Sequence, residues 1–204
     1  MSNAMRMAAA CACGVVRLGV AGALLVLFAA APAMAQTANP GLAGIERMRL
    51  VLGLLSSDAN RKSCNITPDL EQTLITKLRQ GPMGNGVAIP EATRLFHPAA
   101  GHNVYVSEPN DRSLPLFFVS ISALAVTVGQ VTICSYAILA KVDTRVAGRA
   151  AATGRDLDQN VGVWNFDRLY SGTPDTFAPD LTSASESVGQ ELAAALRNAV
   201  PGKR

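Results

Sequence analysis

The chain has 204 residues, 49% of them hydrophobic and only 5% aromatic, with 18 basic side chains against 15 acidic ones. A balance this near neutral, without a basic run, argues against nucleic-acid binding, which needs clustered Lys and Arg to meet phosphates. The hydrophobic content predicts a sizeable buried core instead.

The first residues read as processing signals rather than fold. Met1-Ser2-Asn3-Ala4 precedes a second start at Met5, the pattern of an expression-tag scar. Residues 5–35 then have the three parts of a secretory signal peptide. Arg6 and Arg17 stand without an acid, Leu18 to Ala31 is apolar, and Ala33-Met34-Ala35 supplies small residues for cleavage. The apolar part, about 14 residues, is shorter than the ~20 a membrane helix needs. A periplasmic protein beginning at Gln36 is therefore expected, with no membrane span after signal removal. Cys11 and Cys13 lie before the apolar part and leave with it, so no lipid attachment is expected. Removing 35 residues and two arginines leaves 169 residues with 16 basic and 15 acidic groups, a net charge of +1. That length suits one domain burying about 70% of its unfolded surface.

Gln36 to Gly44, rich in Gly, Ala, Pro and Asn, reads as a flexible leader, residues 45–200 as a single α+β domain, and residues 201–204 as a tail. Glu46 to Leu55 alternates Met48, Leu50, Leu52 and Leu54 with Arg47, Arg49, Val51 and Gly53, which predicts a strand with one fully apolar face. A polar loop, SSDANRKSC, should deliver Cys64 to a first helix. There Thr67 is the N-cap, Pro68 the first helical residue, and Asp69 and Glu71 the acids that complement the helix dipole. Leu70, Leu74, Ile75 and Leu78 form its buried face, and Gly81 ends it. Asn65-Ile66-Thr67 matches a glycosylation sequon, but the capping role suits Thr67 better with Pro68 next. GPMGNG (81–86) follows a helix and enters a strand, Val87 to Ile89. That order is the reverse of one that aims helix N–H groups at a phosphate, so it reads as a turn.

Pro90 to Ser113 is the least regular stretch, with a short helix over Glu91 to Phe96, His97 and His102, and a strand over Asn103 to Ser107. Leu116 to Val128 and Gln130 to Val142 are apolar, β-branched runs separated by Gly129, the pattern of a long antiparallel hairpin. Two buried helices would be the alternative, but no 3.6-residue stripe is present. Both faces of each strand are mainly apolar, which predicts a central hairpin covered on both sides. Gly148 to Gln159 reads as a mobile loop, Asn160 to Leu169 as a strand with Trp164 and Phe166 on one face, and Ser171 to Pro179 as a loop. A last helix, capped by Asp180 and stopped by Pro201-Gly202, buries Leu181, Ala184, Val188, Leu192, Ala195, Leu196 and Ala199.

The expected fold is thus α+β, a mixed, mainly antiparallel sheet (β-α-β, hairpin, β, α) with two helices packed on one face. Cys64 and Cys134, the two cysteines left after export, allow one intramolecular disulfide. Two helices cannot shield both faces of such a sheet. The second is expected to be covered by residues 90–113, by another copy in a homodimer, or by an envelope protein partner, with Phe117, Val119, Ile121, Val131 and Ile133 as interface candidates.

Familiar catalytic signatures are missing: there is no GxSxG, HExxH, Walker loop or GxGxxG after a strand. No catalytic residue, cofactor or nucleic-acid partner is therefore expected. His97 and His102, with Glu91 and Glu108 nearby, are the candidates for a metal site, and so for a metal-assisted hydrolase. Ser120 and Ser122 could line a pocket, and a small-ligand carrier would need an enclosed cavity between hairpin and helices. The AMA signal ending, the cysteine before the first helix, and the runs LFFVSISAL, ICSYAIL and VGVW resemble small uncharacterised exported proteins of proteobacteria. That resemblance implies a periplasmic location and brings no functional residues with it; the surplus apolar sheet face is what points to a non-catalytic binding or assembly module of the cell envelope.

Overall fold

A computed structural model describes residues 40–97, 102–149 and 155–199. The expected signal peptide, tag scar, most of the expected leader, and Pro201-Gly202 with the expected tail lie outside the described residues. Six strands form one mixed sheet in the order β2-β3-β1-β4-β5-β6. They are β1 (Arg49–Leu55), β2 (Thr93–His97), β3 (His102–Val106), β4 (Leu116–Val128), β5 (Val131–Arg149) and β6 (Asp156–Gly172). Three helices, α1 (Asp58–Ser63), α2 (Pro68–Gly84) and α3 (Pro174–Ala199), complete the α+β fold. The sheet is antiparallel except where β1 runs parallel to β4, from Arg49 beside Leu116 to Leu55 beside Ser122. Because β1 and β4 are parallel, the chain must cross between them, and it does so through α1, α2 and the β2–β3 hairpin.

The β4–β5 hairpin is central and turns at Gly129, whose φ of 63° favours glycine. Thirteen register pairs join its strands, from Leu116 opposite Asp143 to Val128 opposite Val131. On one face Phe117, Val119, Ile121, Cys134, Tyr136, Ile138 and Val142 are buried and meet the helices, together with Met48 just before β1 and Leu50, Leu52 and Leu54 within it. Phe177, Leu181, Val188 and Leu192 of α3 and Leu74, Ile75 and Leu78 of α2 close this core. Each such side chain contributes about 1.5–3 kcal/mol by leaving water. The bridge expected between Cys64 and Cys134 is present, with Cα atoms 5.8 Å apart, and ties the end of α1 to β5.

Several local expectations are corrected. SSDANRKSC is not all loop: Ser57 caps α1, its hydroxyl accepting from the Asn60 N–H. The first main helix begins as expected, Thr67 Oγ1 accepting from the Leu70 N–H, but continues through Gly81 to Gly84. Gly81 serves close approach instead of termination, since a Cβ there would lie 2.1 Å from the Gly189 carbonyl oxygen of α3. Pro82 lies in the last turn, where lacking an N–H it cannot donate to the Leu78 carbonyl one turn back. The turn after α2 is held to α3, with Asn85 Nδ2 donating to the Ala193 carbonyl and Arg197 Nη1 to Asn85 Oδ1. Residues Val87 to Ile89 form only an isolated parallel bridge, Ala88 beside Arg47.

The expected helix over Glu91 to Phe96 is replaced by β2, because pairing with β3 outweighs weak helical propensity in five residues. β5 and β6 run past the expected loop at 148–159 as a two-stranded ribbon, with a bulge at Val142/Asp143, and residues 150–154 lie outside the described residues. α3 starts at Pro174, so Asp180 lies inside it and is not its cap.

Candidate functional site

The helices cover one face of the sheet, and among the described residues no element covers the other. Of the covers expected for the second face, the one from within the chain is corrected. Residues 90–113 do not shield the second face, because β2 and β3 extend the sheet sideways at its edge. The five interface candidates divide between the faces. Phe117, Val119 and Ile121 are fully buried beneath the helices, whereas Val131 and Ile133 stand 59% and 42% exposed on the open side. Alternation placed residues on common faces, but both faces are apolar and the pattern does not say which one the helices take.

The open face is assembled by register. Val126 lies opposite Ile133, Leu124 opposite Ser135 and Ser120 opposite Leu139, while Ala137 of β5 lies opposite Leu169 of β6. Paired residues share a face, so Leu124, Val126, Ile133, Leu139 and Leu169 form one apolar surface across three strands. Leu169 is 77% exposed, Leu124 54% and Leu139 49%. Ser120, half-buried, and Ser122, exposed, lie on this face and line no enclosed cavity between hairpin and helices. Between hairpin and helices Phe117, Ile121, Phe177 and their neighbours pack into one core.

Charge gathers at the margin of this surface. Lys141 Nζ lies 2.8 Å from Asp143 Oδ2. At the same end of the sheet Arg49, Arg112, Arg145, Asp158, Gln159 and Asn160 line a bay of about 270 Å³. Arg145 makes a two-point ion pair with Asp158, and that hydrogen bonding holds the Asp158 carboxyl below the usual carboxylate range.

His97 and His102 are direct cross-strand partners at the end of the β2–β3 hairpin. Among the described residues no group of three or more His, Cys, Asp or Glu stands close enough to hold a metal ion. Glu91 and Glu108 thus do not complete a site with them, and Glu108 is instead bonded to Arg47 at 3.2 Å.

One ionisable cluster escaped the sequence reading. Glu71 is buried inside the core, paired with Arg61 of α1 and accepting from the Tyr105 hydroxyl of β3. Burial, reinforced by this bond to Glu71, pushes the Tyr105 pKa up to about 12. The signal was available, since Glu71, Ile75 and Leu78 are spaced i, i+4, i+7 on the apolar stripe of α2. The cluster joins α1, α2 and β3, with Glu71 buried and the Arg61 side chain partly exposed.

No family model, curated protein or solved structure matches the chain. Among the described residues no helix is long and apolar enough to cross a membrane.

Proposed function

We propose that this chain is a periplasmic, non-catalytic assembly module that associates with a second copy of itself through the open sheet face. The observation that carries the reading is the uncovered apolar surface of Leu124, Val126, Ile133, Leu139 and Leu169. Single exposed leucines are ordinary, but a contiguous set across three strands is the kind of surface that marks an interface. A second copy fits because a two-fold interface sets like against like. This surface is apolar at its centre, and its border carries the Lys141–Asp143 ion pair and the exposed Asp167. Export is supported by the signal features of residues 5–35 and by the Cys64–Cys134 bridge, which persists where the environment is oxidising.

Sedimentation velocity of the purified protein tests this reading. A dimer is expected, and Leu139→Asp, on an exposed position, is expected to give a folded monomer of unchanged circular dichroism. A wild-type protein that sediments as a monomer at every concentration contradicts it.

A further inference from the structure

The bay at the end of the open face carries an unmet electrostatic demand. Three arginines converge on it from distant segments: Arg49 opens β1, Arg112 sits in the loop before β4, and Arg145 lies on the β5 ribbon. The nearby carboxylates are already engaged. Asp158 takes Arg145, Asp143 takes Lys141, and Asp111 accepts from both the backbone N–H and the hydroxyl of Ser113. Among the described residues neither Arg49 nor Arg112 joins an ion pair. The Arg49 Nε–H is buried and has no acceptor, a state that ordinary folds avoid.

Each guanidinium is a planar fork matched to two oxygens of one acid group, and two uncompensated forks facing one small bay repel each other unless an anion lies between them. The Arg49 backbone N–H donates to the Pro115 carbonyl at 2.9 Å, and the Asp111–Ser113 turn fixes the loop bearing Arg112, so the backbone that presents the forks is held in advance.

We propose that this bay binds a small oxyanion, a phosphate or carboxylate group, with Arg49 and Arg112 as its ligands. Gln159 and Asn160 add neutral amide donors at the rim. Asp158 holds Arg145 back from full engagement and sets an acidic limit on the bay. This assignment is independent of self-association and applies equally to a monomer.

The test is a titration of the isotope-labelled full-length protein with inorganic phosphate, and in parallel with succinate, each against sodium chloride of equal ionic strength. Arginine side-chain N–H resonances report the site. The expected result is saturable shifts at Arg49 and Arg112 with one or both oxyanions, and the tighter of the two names the ligand class. Arg112→Met, on an exposed loop, is expected to weaken binding by about tenfold, the loss of one charge-assisted fork. Asp158→Asn is expected to tighten it, a change that a purely structural role for the cluster would not produce. Shifts that match the chloride control, or an affinity unchanged in Arg112→Met, overturn the assignment.

Discussion

Glu71 shows how a single carboxylate can organise three elements. Its oxygens are divided between the Arg61 guanidinium and the Tyr105 hydroxyl, so removing either donor leaves a buried acceptor short of a partner. Tyr105→Phe is therefore expected to cost about 1–3 kcal/mol, read as a lowered midpoint in urea unfolding. The tyrosines also give the fold an alkaline limit. Tyr105 and Tyr136 are both pushed up to about 12 from 10.0, chiefly by burial. A pKa raised by folding means that the folded state retains the proton. The associated stability is full below about pH 10 and is lost as pH climbs through about 12. Urea midpoints measured across that window are expected to fall, and the double variant Tyr105→Phe/Tyr136→Phe to fall less steeply.

Among the elements, α2 and α3 depend on two glycines. A Cβ on Gly81 would meet the Gly189 carbonyl at 2.1 Å, and one on Gly189 would meet the Lys77 carbonyl at 2.9 Å, both on backbone that cannot step aside. Gly→Ala ordinarily favours a helix by about 1 kcal/mol. Gly81→Ala is expected to reverse that sign and destabilise, whereas Gly84→Ala, with nothing within 4 Å, is expected to be near neutral. Thermal unfolding of the two variants checks the contrast. The cystine acts at the same scale. With a sequence separation of 70, its reduction is expected to remove roughly 4 kcal/mol in the chain-entropy view, visible as a lower urea midpoint in dithiothreitol.

Much of this level was legible from residues alone. The hairpin showed in its β-branched runs around Gly129, the start of α2 in Thr67-Pro68, and the buried stripe of α3 in its 3.6-residue period. β2 was not legible, because Thr93 to His97 is too short to display a period and owes its strand to pairing with β3. Gly81 misled because a glycine near a helix end signals a cap as readily as a close contact. The arginine bay was invisible, since its members come together only when β1, the loop before β4 and the β5–β6 ribbon are aligned.

The described residues form two layers, one of helices and one sheet, and none of them covers the second face of the sheet. The long hairpin is apolar on both sides, which was plain in the sequence, while the side that stays open was decided by where α1, α2 and α3 settle. The proposed self-association through that side would account for residues such as Leu169 and Leu139, which a solitary two-layer fold would carry as polar groups. The most direct measurement is an isotope-filtered methyl NOE experiment on a mixture of labelled and unlabelled copies. Intermolecular contacts are expected from the methyl groups of Leu124, Ile133, Leu139 and Leu169. If those methyls show no contact with a second copy and are freely reached by a soluble paramagnetic agent at high protein concentration, the open face is not an interface between copies.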